Sequence, residues 1–308
     1  MPVRCWSEGR SPAGSRRLRR GVAAVSVGLA AVVLAVAVAV VAVAANPASD
    51  QIVGRGWEAL SRLLFREAHD HFTAAQPTRE ARYGQAMALI NLQPKTRDNV
   101  ATAIVMLREL IADDPDDPTG IAARYFLART QQLHPFETDV DRALELFDQL
   151  IADHPHHYLG EMALVKSGML RLYAPEAGDR RAELFVALEA AGAKLGHDDA
   201  IRDFHLMMAD AAGRLGLGQA AALEHLLIVL EVGVATRNLE ADLHVRIGEL
   251  ARLTDRPALA AEHYRALLEK FPRDARRYMI EQRLDQVAGE RDPAPADAAS
   301  SQSEGAGP

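Results

Sequence analysis

Apolar residues recur at intervals of three and four along most of the chain after residue 60, which is the period of an amphipathic α-helix. Three segments show it most clearly, each running twelve positions from an alanine to a proline: Ala103 to Pro115, Ala143 to Pro155 and Ala260 to Pro272. Proline cannot continue a helix, because it lacks the backbone N–H and its ring clashes with the preceding turn. The pattern therefore predicts three helices that end at these prolines.

The spacing of these segments predicts further copies. The second and third alanines are 117 residues apart, three times 39, so degenerate copies are expected at Ala182 and Ala221, and a shorter one begins at Ala68. Each copy is followed by a second amphipathic segment, over 79–92, 120–133, 158–173, 200–215, 239–253 and 274–287. A lone helix pair cannot bury its apolar face, but stacked pairs share one core. We therefore predict an all-α fold, an α-solenoid of about six stacked helix pairs.

One of these units resembles a known family, the tetratricopeptide repeat. The 34 residues from Ala241 to Asp274 have the length of that repeat, with small residues at Gly248 and Ala260, an aromatic residue at Tyr264 and a closing Pro272. The resemblance covers about residues 51–288, and the repeats also look like those of membrane-anchored members of this family in the bacterial cell envelope. Together, the period and the resemblance predict repeat-packing residues at Ala68, Ala103, Pro115, Ala143, Phe147, Pro155, Ala182, Ala221, Gly248, Ala260, Tyr264 and Pro272.

The resemblance also implies a binding surface. In tetratricopeptide arrays the A helices line a groove that binds peptides. By the resemblance, which places Gly248 in helix A and Ala260 at the start of helix B, the A helices are the second segments given above, so a peptide-binding groove is expected along them. Its candidate residues change from basic, polar and aromatic to mostly acidic along the chain. They are Arg82, Gln85, Tyr125, Arg129, Gln132, Lys166, Asp203, Asp210, Asp242, Arg246 and Glu249.

The N-terminal 45 residues have a different character. Residues 21–45 contain no charged side chain, and as a helix they would reach about 37 Å, enough to cross a hydrocarbon core of about 30 Å. Residues 1–20 carry six arginines and one glutamate, a basic excess that favours the cytoplasmic side. We therefore predict a basic cytoplasmic segment (1–20), one transmembrane signal-anchor helix (21–45), the repeat domain (46–291) and a disordered Ala/Pro/Ser-rich tail (292–308).

This topology places the protein in the bacterial inner membrane as a single-pass protein, with its N-terminus in the cytoplasm and its repeat domain in the periplasm. The alternative is a signal peptide that is cleaved near Ala44, which would release a secreted or periplasmic protein.

Charge and composition narrow the functional class. The whole chain has 308 residues and a net charge of −7, and without its first 20 residues the net charge is about −12, which argues against a nucleic-acid partner. The single cysteine, Cys5, cannot form an intramolecular disulfide. No motif of a metalloprotease, of a serine hydrolase or of a phosphate-binding loop occurs, and the sequence predicts no catalytic residue, cofactor or metal site.

The sequence therefore predicts a non-enzymatic scaffold or adaptor, which binds a protein or peptide of the cell envelope and contacts the membrane through residues 21–45. Two alternatives stay open. One is a cleaved periplasmic binding protein or chaperone, associated with a translocon or with cytochrome c maturation. The other is a metal-binding protein that uses the histidine-rich turn from His154 to His157.

Overall fold

The computed structural model describes residues 47–134, 136–234 and 236–289, and these residues form thirteen α-helices, one short 3-10 helix and no strand. The predicted all-α class is thereby confirmed. The chain divides into two compact units, Met1–Leu150 and Ile151–Pro308. The predicted segments 1–20 and 21–45 and the predicted tail 292–308 lie outside the described residues.

The first unit consists of consecutive helices joined by short turns. They are α1 (Pro47–Ser61), α2 (Phe65–Ala74), α3 (Arg79–Asn91), α4 (Arg97–Asp113), α5 (Pro118–Leu133) and α6 (Val140–Asp153), of which α6 runs past the boundary at Leu150. Each helix from α1 to α4 packs against the next, and α3 also packs against α1 and α5. The helices α1, α3 and α5 therefore form one row, and we call them the A helices of this unit.

The second unit continues the pattern. It contains α7 (Tyr158–Tyr173), the 3-10 helix (Pro175–Arg180), α8 (Arg181–Gly192), α9 (Asp198–Arg214), α10 (Gln219–Val232), α11 (Arg237–Leu253), α12 (Pro257–Lys270) and α13 (Arg277–Gly289). The A helices here are α7, α9 and α11. The pairs α9–α10 and α11–α12 are the most closely packed, and α13 packs against α12.

Short polar side chains at the turns explain where the helices begin. The hydroxyl of Thr78 accepts a hydrogen bond from the Ala81 N–H, and the Asp117 carboxylate accepts one from the Gly120 N–H. Such caps satisfy N–H groups that have no partner within their own helix. After the last residue of α10, Gly233 has φ of 90°, a conformation that favours glycine and ends the helix.

Aromatic rings packed against glycines form the centre of both units. The Phe72 ring lies between Gly56 of α1 and Gly84 of α3, so closely that a Cβ at either position would overlap it. In the second unit the buried Tyr264 ring lies against Gly248 in the same way. The two helices of a pair can therefore approach until backbone and ring touch, which is why a glycine is needed at these positions.

The predicted packing residues occupy two kinds of place. Ala68, Ala103, Ala143, Phe147, Ala260 and Tyr264 are fully buried. The prolines at 115, 155 and 272 lie in the turns that follow α4, α6 and α12, where they contribute little buried surface.

The two degenerate copies differ from the prediction. Ala182 is exposed, because the 3-10 helix shifts the start of α8 and the residues that face the core are Phe185 and Leu188. Ala221 is half-buried, and Ala222 takes the buried position one residue later. A repeat length fixed at 39 residues cannot predict these local shifts of the buried positions.

The predicted location in the inner membrane is corrected. Among the residues that the structure describes, no helix has both the length and the apolar surface needed to cross a bilayer. The longest described helices have 17 residues and carry buried residues along one face and charged residues along another, as expected of helices that pack in a protein core.

Candidate functional site

In the first unit, the predicted groove residues make contacts within the protein. Arg82 pairs with Glu109 at 2.6 Å and with Asp113 at 3.3 Å, both on α4, and the Gln85 amide donates to the Thr73 hydroxyl. Tyr125 and Gln132 are buried in α5, and Arg129 donates to the Gln132 side chain. Arg129 also lines the pocket described below.

In the second unit, most predicted groove residues are also paired. The carboxylates of Asp210, Asp242 and Glu249 accept hydrogen bonds from Tyr173, Arg276 and Tyr264, respectively. Lys166 lies 4.0 Å from Asp203. Arg246 is exposed and forms no ion pair with another described residue.

A pocket opens between the C-terminal ends of α3 and α5 and the start of α4. We call it the unit-1 pocket, and its cavity volume is about 80 Å³. Its walls are mostly apolar, with five polar or charged side chains among them. The lining residues are Met87, Ile90, Asn91, Lys95, Val100, Phe126, Arg129, Thr130, Leu133 and His134.

The charge of the unit-1 pocket is unbalanced. It is lined by Lys95 and Arg129 but by no carboxylate. Arg129 is half-buried, and its burial lowers the pKa of its guanidinium below the ordinary value. Neither cation forms a salt bridge with any carboxylate in the described part of the chain. The pocket thus offers two cations beside an apolar space, in a chain with an excess of acidic residues.

The apolar surface continues beyond the pocket. Leu133, the last residue of α5, lines the pocket and is 54% exposed, and Phe136 in the following turn is also exposed. The His134 ring lies 5.9 Å from the Phe136 ring, and the Arg97 guanidinium lies 5.0 Å above it. This neighbouring surface therefore adds an aromatic ring and a third cation.

Sequence reasoning missed this pocket, apart from Arg129. A signal was present, since apolar residues at the ends of two successive A helices are followed by the turns 92–96 and 134–139, each of which contains a proline and polar residues. The predicted groove residues lie along the faces of the helices, and no repeat pattern shows that two helix ends leave a gap between them.

Histidine pairs occupy the interior of the second unit. The Nδ1 atoms of His205 and His225 lie 2.7 Å apart between α9 and α10, and those of His244 and His263 lie 3.1 Å apart between α11 and α12. Burial, and then the partner ring, lower the pKa of His225 and of His244 to about 4. These rings are therefore neutral at pH 7 and act as a polar part of the core.

The histidine-rich turn has a structural contact. The His157 ring accepts a hydrogen bond from the Leu159 N–H at 3.1 Å and so caps α7, and its centre lies 6.4 Å from that of His154. Within the described ranges, no group of three or more histidine, cysteine or acidic side chains converges in a way that could hold a metal ion.

A buried carboxylate joins two A helices of the second unit. Glu161 on α7 is only 3% exposed, and its two oxygens accept hydrogen bonds from the N–H groups of Gly196 and His197 at 2.9 and 3.0 Å. Its contacts hold the turn that leads into α9, so its role is structural.

Comparisons with known proteins give structural matches alone. No protein-family model and no curated protein matches the sequence. Among solved structures, a tetratricopeptide repeat protein from Parabacteroides merdae is 16% identical, with a TM-score of 0.43, and the match covers 79% of this chain and 86% of that one. A thermophilic protein with the same repeat from Thermus thermophilus is 20% identical, with a TM-score of 0.37, over 68% of this chain and 99% of that one.

A third match is the type IV pilus biogenesis factor PilW, at 16% identity and a TM-score of 0.48, over 79% of this chain and 100% of that one. The chain is thus similar to tetratricopeptide repeat proteins. At this level of identity the likeness concerns the fold and says nothing about function. The assignment to helical repeats rests on the helix pairs and the glycine–ring contacts described above.

Proposed function

We propose that this protein is a non-enzymatic scaffold that binds a segment of a protein partner, and that the unit-1 pocket is part of its binding surface. The observation that carries the proposal is the apolar cavity between α3 and α5, which is lined by two cations and no carboxylate. Folded chains normally cover apolar surface and pair charges where they can, so a lined pocket that combines both is a typical recognition site.

The distribution of titratable groups supports a non-enzymatic role. Catalytic groups need access to a substrate and usually have perturbed pKa values in a cleft. Here the histidines whose pKa is most strongly lowered, His225 and His244, are buried between paired helices. Their position suits packing, and it gives a substrate no access to the ring nitrogens.

The proposal is tested by site-specific crosslinking in cells that produce the full chain. A photoreactive phenylalanine derivative replaces Leu133 at the pocket or, as the matched control, Leu253, which is likewise the last residue of an A helix and is 52% exposed. We expect one or a few defined protein adducts from position 133 and none of the same mass from position 253.

Further probe positions test the predicted groove directly. Gln85 and Arg246 are accessible members of that groove in the two units. Adducts from these positions with the same partner would extend the binding surface along the A helices. The absence of any protein adduct from 133, 85 and 246, with normal folding of each variant, would refute the scaffold proposal.

A further inference from the structure

The unit-1 pocket also defines the chemistry of what it binds. We infer that the partner segment places a branched aliphatic side chain in the cavity and an internal acidic side chain between Lys95 and Arg129. This inference rests on the proposed function and makes its ligand specific.

The size of the cavity selects the apolar part of the ligand. Its volume of about 80 Å³ is roughly half that of a 150 Å³ protein cavity that holds benzene, so it suits a leucine, isoleucine or valine side chain better than an aromatic ring. The walls that meet this side chain come from Ile90, Val100 and Phe126. Burying such a side chain contributes binding free energy in proportion to the apolar area removed from water.

The two cations select the polar part of the ligand. Arg129 is held in place by its hydrogen bond to Gln132, so its guanidinium is partly oriented before any ligand arrives. A carboxylate bound there would form charge-assisted hydrogen bonds, which are stronger than neutral ones, in a site where part of the water has already been removed. A neutral or basic ligand would leave both cations without a counter-charge.

The surface beyond the pocket indicates an internal segment of the partner. Leu133 and Phe136 extend the apolar surface past the cavity, and the Arg97 guanidinium lies over the Phe136 ring. A chain that ended at the two cations would leave this surface uncovered, whereas a chain that continues can cover it. The acidic group is therefore assigned to an Asp or Glu side chain near the aliphatic residue.

The test begins with random twelve-residue peptides displayed on phage, which are joined to the coat protein and therefore have no free C-terminal carboxylate. They are selected against the full chain. We expect the enriched peptides to share a Leu, Ile or Val within four residues of an Asp or Glu. Enrichment of aliphatic peptides without an acid, or of aromatic peptides, would overturn the inference.

Variants then locate the binding site. The enriched peptides are synthesised with amidated C-termini, and their affinity is measured by fluorescence anisotropy. We expect Lys95→Gln and Arg129→Gln each to weaken binding about tenfold, as for the loss of one charge-assisted contact, and an Asp→Asn or Glu→Gln change in the peptide to remove this difference. Arg108→Gln, the same charge change at an exposed site of α4, should leave the affinity unchanged.

A second pair of variants tests the apolar part without changing a buried residue. Leu133→Asp should abolish binding, because it removes an apolar wall and adds a negative charge, whereas the matched Leu253→Asp should not. Helical content measured by circular dichroism checks that both variants fold.

The outcomes separate this inference from the proposed function. Peptide binding that is insensitive to the variants at 95, 129 and 133 overturns the inference while the scaffold function stands. Two results overturn the internal-acid assignment. One is that the free-acid form of a peptide binds more tightly than its amide. The other is that decanoate, an aliphatic chain with a terminal carboxylate, displaces the peptide at lower concentrations than the acidic peptide itself does. If no peptide is enriched and the crosslinking finds no partner, both proposals fail.

Discussion

Replacing Gly248 with alanine tests the packing rule on which the repeat assignment depends. A Cβ at residue 248 would lie 2.7 Å from Cδ1 and 3.0 Å from Cζ of Tyr264, and closer still to Cε1, whereas ordinary contacts begin at about 3.4 Å. The ring would have to move by about 1 Å. It has little room to do so, because Tyr264 is fully buried and its hydroxyl donates to Glu249 at 3.0 Å.

Two opposing terms determine the size of the effect. Overpacking of a filled core costs about 1–3 kcal/mol, and an overlap with three ring atoms belongs at the upper end of that range. Alanine is better than glycine in a helix by about 1 kcal/mol, which offsets part of the cost. We therefore expect Gly248→Ala to lower the free energy of unfolding by about 2 kcal/mol.

The matched control is Gly213→Ala. Gly213 also lies in an A helix of the second unit, but it is exposed, and an added Cβ would meet no atom within 4 Å. This variant should be neutral or more stable by up to about 1 kcal/mol. Urea unfolding followed by circular dichroism at 222 nm measures both variants. If Gly248→Ala were as stable as Gly213→Ala, the ring would not be confined and the packing rule would be refuted.

Three other predictions concern side chains that the sequence alone did not explain. The free energy of unfolding should fall as the pH drops from 6.5 toward 4, since His225 and His244 must stay neutral in the folded protein. At pH 5.5 each of the two histidines lowers the free energy of unfolding by about 1.4 kcal/mol. In urea titrations, a variant with both histidines changed to Gln should show a smaller change of the free energy of unfolding with pH. Glu161→Gln should cost about 1–3 kcal/mol, because an amide cannot accept from both N–H groups that the carboxylate serves; an unchanged urea midpoint would contradict this. Leu63→Gly should raise the thermal midpoint, since Leu63 has φ of 62° and glycine adopts that conformation without strain, whereas Leu64→Gly, at φ of −86°, should lower it.

The periodic part of the fold could be predicted because repeats present the same physical problem several times. A small residue, an aromatic or aliphatic face and a closing proline recur near Ala103, Ala143 and Ala260, and the structure places a helix at each of them. The second helices of the pairs follow from the same apolar period. The predicted copies begin at Ala68, whereas the structure has one more helix before that position.

The missed helix is α1, and its sequence carried a signal. Gly56 provides the small position against Phe72, and Trp57 contacts the Phe72 and Tyr83 rings while its indole N–H donates to Glu80 at 2.8 Å. A glycine and a tryptophan about 12 residues before Ala68 thus repeat the contact that Gly248 makes with Tyr264.

Other contacts could not be predicted because they join residues with no common period. Arg79 of α3 donates to the Leu110 and Asp114 carbonyls and to the Asp117 carboxylate, which ties the end of α4 to the start of α5. In the second unit, Arg237 donates to the Lys270 carbonyl in a similar way. These guanidinium groups complete helix ends from neighbouring helices, and only the three-dimensional arrangement brings the partners together.

The pairing of charges within the fold decides which surface is available to a partner. The predicted groove contains several charged residues, but Arg82, Asp242 and Glu249 already contact a charged or polar side chain outside their own helix. A ligand that used them would first have to break those contacts, which reduces the free energy gained on binding. Lys95 and Arg129 form no ion pair with a carboxylate of the described residues, and they lie beside apolar surface that a ligand can cover. The chain as a whole has a net charge of −7, so this cationic pocket is a local departure from the overall charge, and we expect it to favour a segment whose negative charge coincides with Lys95 and Arg129.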